Sequence, residues 1–281
     1  MIARLLSRPA SVDRATVPGL LIGIGALLIG FLVEGGGLTG LINVPAAILV
    51  FGGTIGAGMV GVPLGSLKRL PRFISKAFVD RPVDPHQLIK TFVHLADRAR
   101  REGLLSLETE AHDLDPFLKR GVLLVVDGSD PALVREILEA EIDAMHRRHQ
   151  TGYGLLEAMG GYAPTMGIIG TVMGLIHVLS SLENPSQLGP AIAVAFTATL
   201  YGVASANLIW LPLASKLKHK SAEEVWLREL MLEGILTVQA GDNPRIVREK
   251  LETQLPPSTR SDFSSTALDD RQPEPAALLG S

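Results

Sequence analysis

Thr171, Thr197 and Thr199 are the polar side chains nearest the centres of two long apolar runs, and an oxygen placed there has two uses. It can bond back to the carbonyl four residues earlier on its own helix. It can also help an ion shed water beside a charge supplied from elsewhere. Both readings stay open on the sequence. No Asp, Glu, Lys or Arg lies in the middle of either run, although an intramembrane charge, costly as it is, is kept where ions are carried. Glu34, Glu157 and Glu183 stand near the ends of apolar runs, where an interface tolerates them. His177 is the one ionisable group at depth, either a hydrogen-bonded interface residue or a relay. If ions move here, the accepting carboxylate comes from another chain.

Other chemistry finds little support. There is no cysteine among the 281 residues, so thiolate nucleophiles, disulfides and Cys-based metal sites are excluded. No cluster of His and carboxylates, nucleotide-binding loop or nucleophile motif marks a catalytic centre, so no catalytic residue, metal ligand or cofactor site is assigned. The net charge of −3 and the lack of a basic patch interleaved with aromatics argue against nucleic acid.

The elements that must hold these residues are legible in the charge distribution. All 26 Lys and Arg lie outside two windows, 18–65 and 152–215. Each window accommodates two apolar spans of about 20 residues with a short loop. In the first, VPGLLIGIGALLIGFLV (17–33) and LINVPAAILVFGGTIGAGMVGV (41–62) are separated by EGGGLTG. In the second, APTMGIIGTVMGLIHVLSSL (163–182) and PAIAVAFTATLYGVASANLIWLPL (190–213) are separated by ENPSQLG. Arg4, Arg8 and Arg14 before the first span resemble a signal peptide's charged start, but no cleavage site follows, so a retained anchor is expected. The expectation is an all-α membrane protein with four transmembrane helices in two hairpins and a helical cytoplasmic domain. Because the hairpin tips carry no Lys or Arg, both termini and the middle segment are placed in the cytoplasm.

This divides the chain into a cytoplasmic N-terminus (1–17), helices one and two (18–65), a cytoplasmic helical domain (66–151), helices three and four (152–215), a cytoplasmic helical C-terminal region (216–255) and a disordered tail (256–281). In the middle domain, Leu88, Ile89, Phe92, Val93, Leu95, Ala96 and Ala99 repeat at helical spacing. Val134, Ile137, Leu138, Ile142 and Met145 repeat the pattern behind an Asp130 N-cap and Pro131. That second helix meets no strong breaker before Gly152 and is expected to run nearly to the third span. The tail from Pro256, rich in Pro, Ser and Asp, has little to bury.

The second pair of spans has small faces. Gly167, Gly170, Thr171 and Gly174 share one face of the third, and Ala195, Ala198, Thr199, Gly202 and Ala206 share one face of the fourth. Such faces let backbones approach closely, which drives helix association in lipid. They either hold their own hairpin together or line a surface for helices of other chains. The first two spans, richer in Leu, Ile and Val, read as a lipid-facing layer. Pro164 and Pro212, near the cytoplasmic ends of spans three and four, each remove a backbone bond and suit a kink or a hinge.

At this level of detail APTMGIIGTVMGLIHVLSSLENPSQLGPAIAVAFTATLYGVASAN, with the P-x-A-x-K-L ending at Leu217, resembles the MotA/PomA family of flagellar motor stator proteins. So do VEGGGLTGLINVPAAILVFGGTIGAGMVG and EGILTVQAGDNPRIVREKLETQLP, collinearly over about residues 18–256. The resemblance implies an inner-membrane channel subunit, expected as a homopentamer. Its five copies would surround two copies of a MotB-like single-span partner that carries the ion-accepting aspartate and grips peptidoglycan. It implies surrounding membrane lipid and a flagellar rotor (switch) protein as further contacts, and no cofactor beyond the coupling ion, H+ or Na+. The small faces of spans three and four would form the inner ring around the partner's helices. By the same resemblance, Pro164, Thr171, Thr199 and Pro212 belong to the ion pathway and its coupling. ARREGLLSLE places rotor-facing charges at Arg100 and Glu108, with Arg101 adjacent. Thr171 tilts the ion toward sodium. On residues alone, Arg98, Arg100 and Arg101 read as a solvated helix face. An ExbB/TolQ-type energiser of envelope transport is the alternative, although such chains usually have three spans; a scaffold that conducts nothing is the third reading.

Overall fold

A computed structural model describes residues 11–80, 83–180 and 185–257. Arg4, Arg8, Glu183 and the tail from 258 lie outside the described residues. Four helical stretches, Thr16–Val33, Leu38–Gly61, Pro131–Ser180 and Leu188–Gln239, are long and apolar enough to cross a membrane. The described residues fold as two compact units, one of residues 11–80 with 143–180 and 185–224, the other of residues 83–142 with 225–257.

In the first unit, strand β1 (Ser11–Val12) pairs antiparallel with β2 (Val79–Asp80). Helix α1 (Thr16–Val33) follows, with Asp13 accepting from the N–H groups of Ala15 at 3.0 Å and Thr16 at 2.9 Å. None of its residues is buried within the chain, and Val33 is 82% exposed. The helix touches Leu208 at Gly23, but a helix of mean hydropathy 2.3 with most of its surface uncovered fits a lipid-facing position. Rod α2 comprises Val44–Ala47, a wide turn Ile48–Gly52 and Gly53–Gly61. It is capped by Asn43, whose Oδ1 accepts from the Ala46 N–H at 3.1 Å. Helix α3 (Leu70–Phe78) then leads into β2.

Two long rods complete the framework. Helix α4 (Pro85–Glu102), the short α5 (Leu107–Ala111) and α6 (Pro116–Val126) precede α7, unbroken from Pro131 to Ser180 with Pro164 inside it. Rod α8 runs Pro185–Ser205, opens into a wide turn at Ala206–Trp210 and continues as Leu211–Gln239. Proline cannot donate to the ladder, and its ring crowds the carbonyl four residues back. A widened turn just before Pro212 accommodates both faults without ending the helix. A last helix, α9 (Pro244–Glu252), closes the chain.

The second unit is built on one apolar helical core: Leu88, Ile89, Phe92 and Leu95 of α4 cluster with Leu107, Phe117, Leu118, Val134, Leu138, Leu230, Ile235, Val247 and Leu251. One local signal recurs four times. Asp84-Pro85, Asp115-Pro116, Asp130-Pro131 and Asn243-Pro244 each open a helix, the side chain accepting from the N–H two residues on at 3.0, 2.9, 2.8 and 3.0 Å. The acceptor satisfies an orphan donor, and proline supplies a preset φ at the first helical position.

Helices α7 and α8 pack through glycine. A Cβ on Gly202 would lie 2.5 Å from the Ala163 carbonyl oxygen and 3.1 Å from the Gly167 Cα. One on Gly167 would lie 2.9 Å from the Ala198 carbonyl oxygen, and those on Gly170 and Gly174 would lie 2.6 Å from the Cβ atoms of Ala198 and Ala195. Backbone opposes backbone, so no side chain can rotate away. Gly202→Ala is therefore expected to cost about 1–3 kcal/mol or more, against the gain of about 1 kcal/mol from alanine's helix propensity. At Gly30 of α1 nothing lies within 4 Å, and the same substitution should be tolerated. Thermal unfolding of the detergent-solubilised full chain checks this; equal stability of the two variants contradicts the close approach.

Candidate functional site

The glycine contacts bring two hydroxyls together. The Thr171 and Thr199 hydroxyls hydrogen-bond to one another across α7 and α8. Thr171 Oγ1 also reaches the carbonyl oxygens of Gly167 at 3.2 Å and Ala195 at 3.0 Å, and Thr199 Oγ1 lies 3.4 Å from the Gly167 carbonyl. Two hydroxyls have only two protons between them. They cannot donate along all four of these lines at once, so hydroxyl lone pairs remain unused. The result is a knot of four oxygens with no formal charge, half-buried between the helices. Thr171 thus combines the local back-bond with a cross-helix contact. Thr197, which is buried, makes the back-bond alone, donating to the Ala193 carbonyl at 2.7 Å.

The small faces of α7 and α8 are occupied by each other in this chain. His177 faces outward from α7, exposed, and is separate from the oxygen knot. The sequence between 158 and 180 and between 188 and 215 contains no Asp, Glu, Lys or Arg, so the oxygens have no formal counter-charge from these helices.

Both prolines lie toward the other end of the pair. Gly160 packs on Leu211, where an added Cβ would stand 2.6 Å from Cγ. Pro164 is about one helical turn from Gly160, and Pro212 adjoins Leu211. Pro164 is half-buried, whereas Pro212 is exposed. Gly160 was not singled out by sequence reasoning; the Gly160-Gly161 pair inside a helical run was its only signal.

Beyond Pro212 sits a second contact that the sequence did not reveal. Asp13, 5% exposed, accepts from Lys216 Nζ at 2.6 Å and lies 3.6 Å from Lys220 Nζ. Lys220 also donates to the Val79 carbonyl at 2.7 Å. The Lys216 ammonium, aided by the N–H groups that Asp13 caps, holds its carboxyl far below the usual carboxylate range despite burial. The depressed value means that the charge, and the clasp it makes, persists from neutral down to strongly acid pH. Sequence reasoning did not single out Asp13, although an Asp three residues before Thr16 is a local cap signal. Its partner 203 residues away leaves no such signal. Elsewhere in this unit, the Tyr201 hydroxyl accepts from the Asn43 N–H at 3.1 Å and donates to the Leu41 carbonyl, satisfying backbone groups at the start of α2.

In the second unit, the arginine face divides. Arg98 turns onto Glu110, which also meets His94 Nε2 at 3.0 Å, and reaches Glu102 at 3.1 Å. Arg101 bonds Asp97 at 3.1 Å, one turn back on the same helix. Arg100 and Glu108 are exposed, and neither is in an ion pair among the described residues. The three arginines that read alike in sequence therefore have different commitments.

Against known proteins, residues 109–230 match the sequence model of the MotA/TolQ/ExbB proton channel family, and residues 17–103 match that of the motility protein A N-terminal region. Motility protein A of Bacillus subtilis is 38% identical over 90% of this chain and 94% of its own length. Chemotaxis protein PomA of Vibrio alginolyticus is 36% identical over 87% of this chain and 96% of its own. Among solved structures, the flagellar MotAB stator complex from Bacillus subtilis contains a chain 38% identical, with a TM-score of 0.84, covering 89% of this chain and 100% of that one. The MotAB structure from C. jejuni matches at 27% identity and a TM-score of 0.82, covering 88% of this chain. With two adjoining sequence models and full-length relatives in agreement, the chain belongs to the MotA/TolQ/ExbB proton channel family, within its motility protein A group.

Proposed function

We propose that this chain is the ion-conducting stator subunit of a bacterial flagellar motor, coupling proton or sodium flow to rotation. The observation that carries the reading is the oxygen knot of Thr171 and Thr199 on a helix pair without a carboxylate, in a chain whose full-length relatives are motility proteins. Such a pair can lower the cost of dehydrating an ion but cannot hold the ion's counter-charge. The missing carboxylate belongs to a MotB-like single-span partner anchored to peptidoglycan. The solved relatives, which are MotAB complexes, support that assignment. Five copies of this chain surround two of the partner in the inner membrane, with the Lys- and Arg-free hairpin tips outside and both termini in the cytoplasm. This arrangement makes the chain a channel subunit rather than an enzyme, needing no cofactor beyond the coupling ion.

In this mechanism an ion arriving from outside binds the partner's aspartate at the level of Thr171 and Thr199. Neutralising that carboxylate removes the cost of holding its charge among apolar helices. Release past Pro164 and Pro212 restores the charge. One charge crossing about 100 mV supplies about 2.3 kcal/mol, several times RT but less than the cost of unpacking a glycine-packed helix pair. Each step is therefore a low-barrier rotation about the partner, and the wide turn before Pro212 supplies a compliant segment. Arg100 and Glu108, exposed and without ion-pair partners among the described residues, are the charges offered to complementary groups on the rotor. Arg101, already held by Asp97, contributes less.

Deleting the gene in its host should give cells that carry flagella, by electron microscopy, but do not swim; swimming deletion cells with no second stator set overturn the reading. Dependence of swimming speed on sodium then identifies the ion. Pro164→Ala is expected to leave motor recruitment of a fluorescently tagged chain intact while reducing torque to near zero. Normal rotation of that variant removes the hinge from the mechanism.

A further inference from the structure

The segment between the second apolar rod and β2, GVPLGSLKRLPRFISKAFV, contains four cations and no acid. Its helix, α3, has its apolar side committed. Ala77 is buried with Leu156 of α7 and Leu213 and Ala214 of α8, and Leu70, Ile74 and Phe78 pack onto the same cluster. Those positions recur at i, i+4, i+7 and i+8. Arg69, Arg72 and Lys76 recur at i, i+3 and i+7 on the opposite side. Lys68, Arg69, Arg72 and Lys76 are all exposed, as is Arg14. The pairing of β1 with β2 and the Asp13 N–H bond to the Phe78 carbonyl at 2.9 Å bring Arg14 to the end of α3.

The carboxylates that could neutralise this group are already engaged. Asp13 is held by Lys216 and Lys220, and Asp80 lies 3.9 Å from Lys220. None of the five exposed cations is in an ion pair among the described residues. Solvated cations scattered over a surface need no explanation. Five gathered beside the ends of α1 and α2, on a helix anchored by its other face to α7 and α8, form a fixed positive rim at the depth where a bilayer's headgroups begin.

We infer that α3 and the turn before α1 form a docking site for the phosphate headgroups of anionic phospholipids. The charge complements such headgroups, and the rim adjoins apolar spans whose own surroundings are lipid. Arginine pairs with phosphate through two parallel donors and lysine as a point charge. A cluster of four or more Lys and Arg directly beside a membrane span attracts anionic lipid in this way. The site would hold α3 against the leaflet, and with it the segment of α8 around Leu213. The inference rests on the membrane placement in the proposed function, but not on flagellar rotation.

The test uses the purified full-length chain in phosphatidylcholine vesicles doped with spin-labelled phosphatidylglycerol or spin-labelled phosphatidylcholine. The fraction of each label immobilised by protein is then measured. The expected result is a several-fold preference for phosphatidylglycerol that weakens as salt rises. The combined change Arg14→Gln, Lys68→Gln, Arg69→Gln, Arg72→Gln and Lys76→Gln should bring the preference near parity. All five residues are exposed, so the apolar face remains whole. Exchanging Lys for Arg and Arg for Lys at the same positions should retain it, which separates charge from loss of fold. A wild-type chain with no preference, the result expected if the rim serves an acidic protein surface instead, overturns the inference. So does a glutamine variant with undiminished preference. Motility is not read, so failure here and failure of the stator reading are distinguishable.

Discussion

Everything in the apolar unit depends on how closely α7 and α8 approach. Lipid is as apolar as leucine, so burying larger side chains between helices gains little there, and dispersion at contact distance has to hold the pair. Glycine at 167, 170, 174 and 202 permits that distance, with neighbouring alanines meeting the gaps. The same proximity decides the chemistry. Only with the backbones nearly touching can the Thr171 hydroxyl reach the Ala195 carbonyl on the other helix at 3.0 Å and meet the Thr199 hydroxyl. A methyl group at Gly167 or Gly202 would separate the helices and disperse the oxygens.

The distribution of charge follows from a related economy. The oxygen knot is polar, yet without a formal charge it can sit within an apolar pair. No Asp, Glu, Lys or Arg of either helix lies at that depth. Near one end of the pair the helical ladder is interrupted, by Pro164 in α7 and by the wide turn ahead of Pro212 in α8. Just past Pro212, Asp13 fastens α8 to the start of α1.

The second unit solves an ordinary problem by ordinary means. Its apolar faces meet in one core of leucines, valines and two large phenylalanines. Its helix starts repeat one cap, Asx followed by proline. On its surface, the Arg98–Glu110 pair ties α4 to α5, so Arg100 and Glu108 are displayed from a braced frame rather than from a loose loop.

The amino-acid sequence by itself determined whatever is local or periodic. The four apolar runs follow from the absence of charge over a helix length. The faces of α4 and α7 follow from a period of 3.6, and the Asx-Pro starts from a bond spanning two residues. The likeness of the 163–207 string to stator proteins was legible for the same reason, since motifs are contiguous. What only the tertiary structure decided are pairings between distant positions: Gly202 against Ala163, Thr171 against Thr199, Lys216 on Asp13, and Arg98 rather than Arg100 on Glu110. Arg98, Arg100 and Arg101 have the same chemistry and almost the same sequence context. A difference of one or two residues rotates a side chain about the helix by about 100° per residue, and which direction holds a partner depends on elements far along the chain. Contact between such elements leaves no periodic trace in either segment, because each sees only its own pattern until the fold brings them together.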